Sequence, residues 1–275
     1  MKKKTFIFLM GAQKAGTSIL HDLLNRSENC HFGFLKEYHI HDVSYFSILN
    51  DLRLSIRNKK NLKKALMRTM MKFIPLFYEL YFLFTSRNHL ITGDFTPGHS
   101  VISPLKLKFI LFKLKLFGFD PKIIFIMRDP YQRCLSMMNM LKRRNVLWSR
   151  GIDSNIGDEK ILSSLYTTYE CVSRTRYNYI IENIMRSAPS NQVLILINEQ
   201  LNNSVKKINI FFNLNLPLNS FAEKKFHHIG KTNISKKLKS TIIYFYKDTY
   251  EYCFENYPET KQLWSSAFNI LNKLS

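Results

Sequence analysis

The stretch TFIFLMGAQKAGTSIL, Thr5–Leu20, decides the fold of this 275-residue chain. Its first part, Thr5–Met10, is a continuous apolar run of strand length, which is typical of parallel strands covered on both faces. Gly11 and Gly16 then make a turn, and the apolar side chains of Ser18–Leu24 have helical spacing. In this strand–loop–helix arrangement, backbone N–H groups at the helix N-terminus bind phosphate groups. We therefore predict a phosphate-binding loop at GAQKAGTS.

The N-terminal residues also admit a second interpretation. MKKK followed by a short apolar segment resembles a secretory signal peptide. Cleavage near Ala15 would, however, destroy the glycine loop. A buried first strand explains the same residues and keeps the loop intact, so we expect Thr5–Met10 to be a strand.

Strands and helices alternate along the rest of the chain. Two further apolar runs predict strands at Lys122–Met127 and Gln192–Ile197. Helices are predicted for Leu105–Leu116, where the lysines avoid the apolar stripe, and for Tyr166–Met185, Val205–Phe212 and Thr241–Phe254. Such alternation is typical of an α/β protein. We expect a single three-layer α/β domain over residues 1–275, with a central parallel sheet and a helical insertion over residues 51–90.

The composition is that of a globular protein with a strong excess of positive charge. The 41 Lys and Arg residues exceed the 20 Asp and Glu residues, which gives a net charge of +21. Such a surface attracts nucleic acid, anionic lipid headgroups or acidic polysaccharide. The four scattered cysteines indicate free thiols in a reducing compartment, and no apolar run has the length of a membrane span. We therefore expect a cytoplasmic protein.

The loop departs from the sequence of magnesium-dependent phosphoryl-transfer enzymes. The residue after the second glycine is Thr17 instead of lysine, and the loop lysine, Lys14, comes three positions earlier. The strand IIFIM ends at Arg128, where a magnesium site would favour a carboxylate. A sulfuryl group carries less negative charge than a phosphoryl group, so a lysine and backbone amides suffice to stabilise its departure. These residues favour transfer of a sulfuryl group without a metal ion.

Two motifs resemble those of the sulfotransferases that use 3′-phosphoadenosine 5′-phosphosulfate (PAPS), particularly the carbohydrate branch. GAQKAGTS is similar to their 5′-phosphosulfate loop, and RDPYQRCLS is similar to their 3′-phosphate motif. The late segment FHHIGKTN resembles the loop that closes over the nucleotide. The resemblance implies PAPS as donor, 3′-phosphoadenosine 5′-phosphate as product and no metal. The residues it assigns to the donor are Gly11, Gln13, Lys14, Ala15, Gly16, Thr17, Ser18, Arg128, Ser136 and Lys231.

Two other segments resemble the catalytic and acceptor-side motifs of that family. LKEYHIHD is similar to the segment that supplies a catalytic glutamate, which implies Glu37 as general base with His39 in support. TGDFTPGHS resembles a substrate-side segment, although Phe95 stands where many members have lysine. The implied catalytic residues are Glu37, Lys14 and His39, and the implied substrate contacts are Glu37, His39, Asp42, Asp94 and Phe95. The implied acceptor is a hydroxyl of an oligo- or polysaccharide, and acidic polysaccharides are among the candidates. Residues 51–90 are expected to lie on the acceptor side of the site.

Other interpretations remain open at this point. A P-loop kinase or NTPase would need magnesium and ATP, which Thr17 and Arg128 disfavour. A basic protein that binds nucleic acid or a membrane surface would show steep salt dependence. We expect no nucleic-acid partner, because no basic-aromatic array for stacking bases is evident, and we retain peripheral contact with an anionic membrane. His39, His41 and Asp42 also suit zinc in ligand type, but no further cluster accompanies them, so we expect no metal.

Overall fold

A computed structural model describes residues 3–153, 156–218 and 233–273. Its centre is a parallel sheet of four strands, in the spatial order β2-β1-β3-β4. The strands are β1 (Lys4–Leu9), β2 (Ile91–Asp94), β3 (Phe119–Met127) and β4 (Val193–Ile197). Since β1 lies between β2 and β3, the loop that follows it begins at the carboxyl edge of the sheet with a strand end on either side. This is where open α/β sheets bind ligands.

The strands predicted from continuous apolar runs form the buried centre of the sheet. Phe6–Leu9 of β1 and Ile123–Met127 of β3 have no solvent-accessible surface. Residues 5–9, for which a signal peptide was the alternative interpretation, therefore belong to a central strand of the sheet. Strand β2 was not predicted, because ITGD is short and has only one large apolar residue. Its Gly93 permits close pairing, since a Cβ there would lie 2.1 Å from the carbonyl oxygen of Ile7.

The helices of the described residues cover both faces of the sheet and extend beyond its edges. They are α1 (Thr17–Leu24), α2 (Tyr45–Asn58), α3 (Leu62–Phe73), α4 (Phe77–Thr85), α5 (Pro104–Leu116), α6 (Pro130–Arg143), α7 (Asp158–Leu165), α8 (Tyr169–Val172), α9 (Tyr177–Met185), α10 (Val205–Phe212), α11 (Lys236–Phe245), α12 (Lys247–Asn256), α13 (Glu259–Leu263) and α14 (Ser265–Asn272). Short 3₁₀ turns at Pro97–Val101 and Asn198–Ser204 follow β2 and β4. The result is a single α/β domain with a central parallel sheet, as predicted.

Two predicted helices are interrupted. The segment Tyr166–Met185 contains α8 and α9 as separate helices. The Thr168 side chain caps the start of α8 by accepting a hydrogen bond from the Cys171 N–H, and the Thr175 hydroxyl donates to the Cys171 carbonyl where α8 ends. The segment Thr241–Phe254 breaks at Tyr246, which separates α11 from α12, and α13 and α14 follow. Polar side chains that bond to nearby backbone groups compete with a continuous helix, and apolar spacing does not reveal them.

The predicted helix over Leu105–Leu116 forms as α5, but its apolar stripe is not its buried face. Ser103 caps the helix, accepting a hydrogen bond from the Lys106 N–H, and Pro104 occupies the first turn. The buried side chains are Leu107, Ile110, Leu111 and Leu114, whereas Leu105, Phe109, Phe112 and Leu116 are exposed. The helix is therefore apolar on both sides, and one of these sides lacks a partner within the described residues.

Two expectations from composition concern the cysteines and membrane spans. All four cysteines are free and buried. Among the helices of residues 3–153, 156–218 and 233–273, none combines the length and apolarity that crossing a membrane requires.

Candidate functional site

Three residues of the loop between β1 and α1 have a positive φ, and the first is Gly11 with 115°. Lys14 has a φ of 72° and Gly16 a φ of 89°. At Gly16 a Cβ would lie 2.6 Å from both Asn198 Nδ2 and Leu201 Cδ1, so only glycine fits. Gly16 is the N-cap residue of α1 and provides no side chain to cap it. The loop thus brings backbone N–H groups to a helix N-terminus, the geometry that binds phosphate.

A polar cleft at this edge of the sheet brings together residues from four parts of the chain. Lys14 comes from the loop, Glu37 from the segment after α1, Arg128 from the end of β3 and Ser136 from α6. The predicted residues that line it are Gln13, Lys14, Gly16, Thr17, Ser18, Glu37, Arg128 and Ser136, and the lining residues missed from the sequence are Ile19, Lys36, Pro97, Asn139, Met140, Arg143, Arg144 and Asn198. Gly11 and Ala15 are buried behind the loop.

Arg128 links the end of β3 to the loop. Its Nη1 donates a hydrogen bond to the Lys14 carbonyl at 2.9 Å, and its own carbonyl accepts one from the Tyr177 hydroxyl at 2.8 Å. Its Nε is buried without a hydrogen-bond partner among the described residues. Burial lowers the pKa of the guanidinium, and the charge of Glu199 opposes that shift. A buried cation with an unused donor is suited to hold an anion in the cleft.

Helix α6 carries Ser136 into the cleft and Arg133 away from it. Asp129 caps the helix, accepting a hydrogen bond from the Gln132 N–H, and its carboxylate also accepts one from the Tyr250 hydroxyl at 2.8 Å. Arg133 is fully buried and contacts Cys171 Sγ at 2.7 Å. Its side chain is not among those that line the cleft.

The cleft concentrates positive charge around Lys14. Burial lowers the pKa of this lysine, and so do the nearby charges of Arg143, Arg128, Arg144 and Lys36, in that order. Such a cluster is unfavourable without a compensating charge. A polyanion bound in the cleft would supply that charge and raise the pKa of Lys14 again. Arg143 and Arg144 lie at the end of α6. No sequence motif indicated that they face the loop.

Beside the loop, three ionisable residues form a chain of hydrogen bonds. His39 Nδ1 lies 2.8 Å from Asp42 Oδ2, and His39 Nε2 lies 3.2 Å from Glu37 Oε2. Lys36 Nζ donates to Glu37 Oε1 at 2.7 Å and to Ser18 Oγ at 2.8 Å, which ties the chain to the loop. Glu37 lines the cleft, and His39 and Asp42 stand behind it.

The protonation states follow from these contacts. Burial opposes the charged form of Glu37, but hydrogen bonds from His39 and Lys36 and their charges outweigh it and lower its pKa to about 2. Burial likewise opposes the charged form of His39, but its bonds to Asp42 and Glu37 raise its pKa to about 9. At neutral pH Glu37 is therefore an ionised carboxylate that can accept a proton, and His39 is a cation that cannot.

Asp94 and Phe95 support this chain from within the core. The Asp94 carboxylate accepts hydrogen bonds from the Thr96 hydroxyl and N–H, and Thr96 Oγ1 in turn accepts the N–H groups of Tyr38 and His39. Asp94 and Phe95 are fully buried. Neither side chain lines the cleft, although both were predicted as substrate contacts.

The remaining expectations concern one lysine and a metal. Lys231 lies outside the described residues. Over the described parts of the chain, no three or more histidine, cysteine or acidic side chains come together in a way that would hold a metal ion. His39 and Asp42 bond to each other.

The chain matches the family model of the sulfotransferase domain over residues 4–252, and it belongs to that family. A sulfotransferase from Alicyclobacillus acidocaldarius shares the fold, with a TM-score of 0.57, 13% identity and coverage of 92% of this chain and 95% of that one. The sulfotransferase domain from the curacin biosynthetic pathway has a TM-score of 0.50 and 12% identity, covering 88% and 91%. Among curated proteins, none matches at a significant level.

This family membership identifies the class of reaction. The protein is a sulfotransferase, an enzyme that transfers a sulfuryl group to an acceptor. Members of the family generally use PAPS as the donor. The membership decides between the sulfotransferase and the kinase interpretations in favour of the first.

Proposed function

We propose that this sulfotransferase moves a sulfuryl group from PAPS to a hydroxyl of an oligo- or polysaccharide, with Glu37 as general base. The observation that supports the proposal most directly is the meeting of Lys14, Arg128, Ser136 and Glu37 around one cleft. The first three are cations or hydrogen-bond donors suited to a nucleotide with two phosphate positions. The fourth is an ionised base next to them.

The residues of the cleft fit the donor. Arg128 has a buried, unpartnered Nε, and Ser136 lies two turns along the helix that begins beside it, so the pair suits the 3′-phosphate. Lys14 and the backbone amides of the loop suit the 5′ end of the nucleotide, where they would stabilise charge on the departing 5′-phosphate. When bound, PAPS supplies the sulfuryl group.

Glu37 suits the base role because of its place and its charge. It lines the cleft beside Lys36, which also contacts Ser18 of the loop. The acceptor hydroxyl would donate its proton to Glu37 as it attacks in line with the departing phosphate. His39 is held protonated between two carboxylates, so we assign it to orienting Glu37.

Residues 51–90 support the acceptor side of the cleft. Arg68 and Lys72 of α3 donate hydrogen bonds to the carbonyls of Tyr38, Ile40 and Val43, at 2.6 to 2.8 Å. This helix therefore holds the segment that carries Glu37. The carbohydrate acceptor itself rests on the resemblance of GAQKAGTS and LKEYHIHD to the carbohydrate branch.

Calorimetry with 3′-phosphoadenosine 5′-phosphate and with ADP, both without magnesium, tests the donor site. We expect the wild type to prefer the first by about tenfold to a hundredfold, the worth of a hydrogen bond to a charged group. Arg128→Ala should lose that preference, while the exposed Arg186→Ala serves as the control. Equal binding of the two nucleotides by the wild type would contradict the donor assignment.

Transfer of labelled sulfate from PAPS tests the acceptor. A panel of neutral and acidic polysaccharides, compared with phenols and simple alcohols, should show transfer to the polysaccharides only. Transfer to the phenols or alcohols alone would contradict the carbohydrate acceptor and leave the donor site intact.

A further inference from the structure

Helix α5 presents an unpartnered apolar stripe to solvent. Leu105, Phe109, Phe112 and Leu116 are 80%, 60%, 56% and 67% exposed. Their spacing of four, three and four residues places them along one side of the helix. Exposed apolar residues scattered singly are normal, but a continuous row of four large ones marks an interaction surface.

The charged residues of this helix are all lysines. The sequence PLKLKFILFKLKL contains four lysines and no acidic residue. Lys108 and Lys115 are exposed and lie next to the apolar stripe along the helix. The surface is therefore both apolar and cationic.

An ion pair links α5 to helix α4. Lys113 Nζ of α5 lies 2.5 Å from Glu79 Oε1 of α4. Glu79 is the only acidic residue of α4 and is fully buried, while Leu80 and Phe84 are exposed. We call these exposed parts of the two helices the α4–α5 face. It carries no exposed acidic side chain.

We propose that the α4–α5 face binds the surface of an anionic lipid bilayer. The leucine and phenylalanine side chains would enter the boundary between headgroups and acyl chains, and the lysines would meet the headgroup phosphates. The net charge of +21 adds a long-range attraction to the same surface. This proposal does not depend on the donor or acceptor of the transfer reaction.

Charge complementarity favours a bilayer over two other occupants. A second copy packed across the same face would bring lysines against lysines with no acidic residue to pair them. A nucleic acid would pair with the lysines but would leave the exposed leucines and phenylalanines without an apolar partner. An anionic bilayer satisfies both kinds of side chain.

Cosedimentation with lipid vesicles tests the proposal. The full chain is mixed with vesicles of phosphatidylcholine alone and of phosphatidylcholine with phosphatidylglycerol. We expect binding to the mixed vesicles only, and Leu105→Gln/Phe112→Gln should weaken it by about tenfold or more, because these side chains supply the apolar contact. Phe109 is left in place because its ring contacts Lys113. Lys108→Gln/Lys115→Gln should weaken binding and reduce its salt dependence.

Matched controls come from α10, where Lys206, Lys207 and Ile210 are exposed. Lys206→Gln/Lys207→Gln and Ile210→Gln should bind mixed vesicles like the wild type, and all variants should keep the wild-type melting temperature. The proposal is overturned if the wild type ignores mixed vesicles, or if the α10 variants lose as much affinity as the α5 variants. It is also overturned if Leu105→Gln/Phe112→Gln binds mixed vesicles like the wild type. A wild-type dimer in gel filtration that becomes a monomer in this variant would instead identify the face as a dimer interface. Binding of duplex DNA through Lys108 and Lys115, without binding of vesicles, would identify it as a nucleic-acid site.

Discussion

The imidazole of His39 is held against Asp42, with Nδ1 2.8 Å from the carboxylate oxygen Oδ2. Asp42 is nearly inaccessible to solvent, and its carboxylate contributes most to keeping His39 protonated, with Glu37 second. The contact keeps the imidazole protonated at neutral pH. This supports the proposal that Glu37 is the base and that His39 is its cationic support.

This arrangement predicts how stability depends on pH. The pKa of His39 is raised to about 9 in the folded protein, so its stabilising effect is complete below the ordinary pKa of histidine and is lost as pH rises toward 9. Because the side chain is about a third exposed, we expect the contribution of His39 to the unfolding free energy to fall by about 1–2 kcal/mol between pH 6.5 and pH 9.5. Urea denaturation of the wild type and of His39→Gln at both pH values measures it, since effects of other titrating groups such as Cys171 are common to the two proteins. The wild type's advantage over His39→Gln should shrink by this amount, and an advantage that does not change with pH would contradict the assignment.

Replacement of Glu37, the proposed base, should lower turnover strongly without weakening nucleotide binding. We expect Glu37→Gln to lower kcat by about 10²–10⁴-fold, the usual contribution of general base catalysis. Its affinity for 3′-phosphoadenosine 5′-phosphate should remain that of the wild type. Radiolabelled sulfate transfer and calorimetry give the two readouts, with the exposed Glu28→Gln as control. Full turnover in Glu37→Gln would contradict the assignment of Glu37 as the base.

Lys14 should act mainly on the transfer step. We expect Lys14→Ala to lower kcat by about 10²–10³-fold, in the range seen when one group that stabilises developing charge is removed. The exposed Lys206→Ala is the matched control and should retain wild-type turnover. A Lys14→Ala variant that raises only KM would show that the lysine serves binding alone.

The sequence predicted the elements whose information is local. The strand–loop–helix of Thr5–Leu24 was predicted because a continuous apolar run, two glycines and helical spacing follow one another directly. Strand β2 was missed because ITGD becomes a strand only by pairing with β1. Its neighbour Thr96 holds the segment that carries His39 through a hydroxyl contact across 57 residues, and no local pattern records such a contact.

The distinction between local sequence patterns and contacts that depend on tertiary packing also applies to the residues of the cleft and the core. Lys14, Glu37, Arg128 and Ser136 lie in recognisable motifs and meet in the cleft, whereas Arg143 reaches it only because of the length and direction of α6. The environment of Arg133 was also not predictable. Arginine in a helix is ordinarily a surface residue, and only packing shows that this one is enclosed by the sulfur atoms of Cys134, Met137 and Cys171.

The buried Arg133 predicts an unusual role for a cysteine in stability. Its guanidinium contacts Cys171 Sγ at 2.7 Å and the Cys171 carbonyl at 3.2 Å, and Cys134 Sγ lies 3.4 Å from the same sulfur. The hydrogen bond from Cys134 and the charge of Arg133 lower the pKa of Cys171 to about 6 despite its burial. The direction of this shift favours the thiolate, which in that form would be the counter-charge of Arg133. Removing one partner of a buried ion pair costs about 3–5 kcal/mol, because the other charge remains buried.

Cys171→Ala should accordingly lower the unfolding free energy by about 3 kcal/mol or more at pH 7.5. Cys253→Ala is the matched control, since Cys253 is equally buried and its sulfur contacts only the Met127 sulfur at 3.9 Å among the hydrogen bonds of the described residues. It should lose only the cost of a small cavity, about 1 kcal/mol. Urea denaturation of the reduced proteins compares them. Because folding lowers the pKa of Cys171, its stabilising charge is complete above the ordinary pKa of cysteine and is lost as pH falls from there through the lowered folded value, so the difference in unfolding free energy between the two variants should narrow over that range. Equal losses in the two variants would show that Arg133 does not depend on the thiolate.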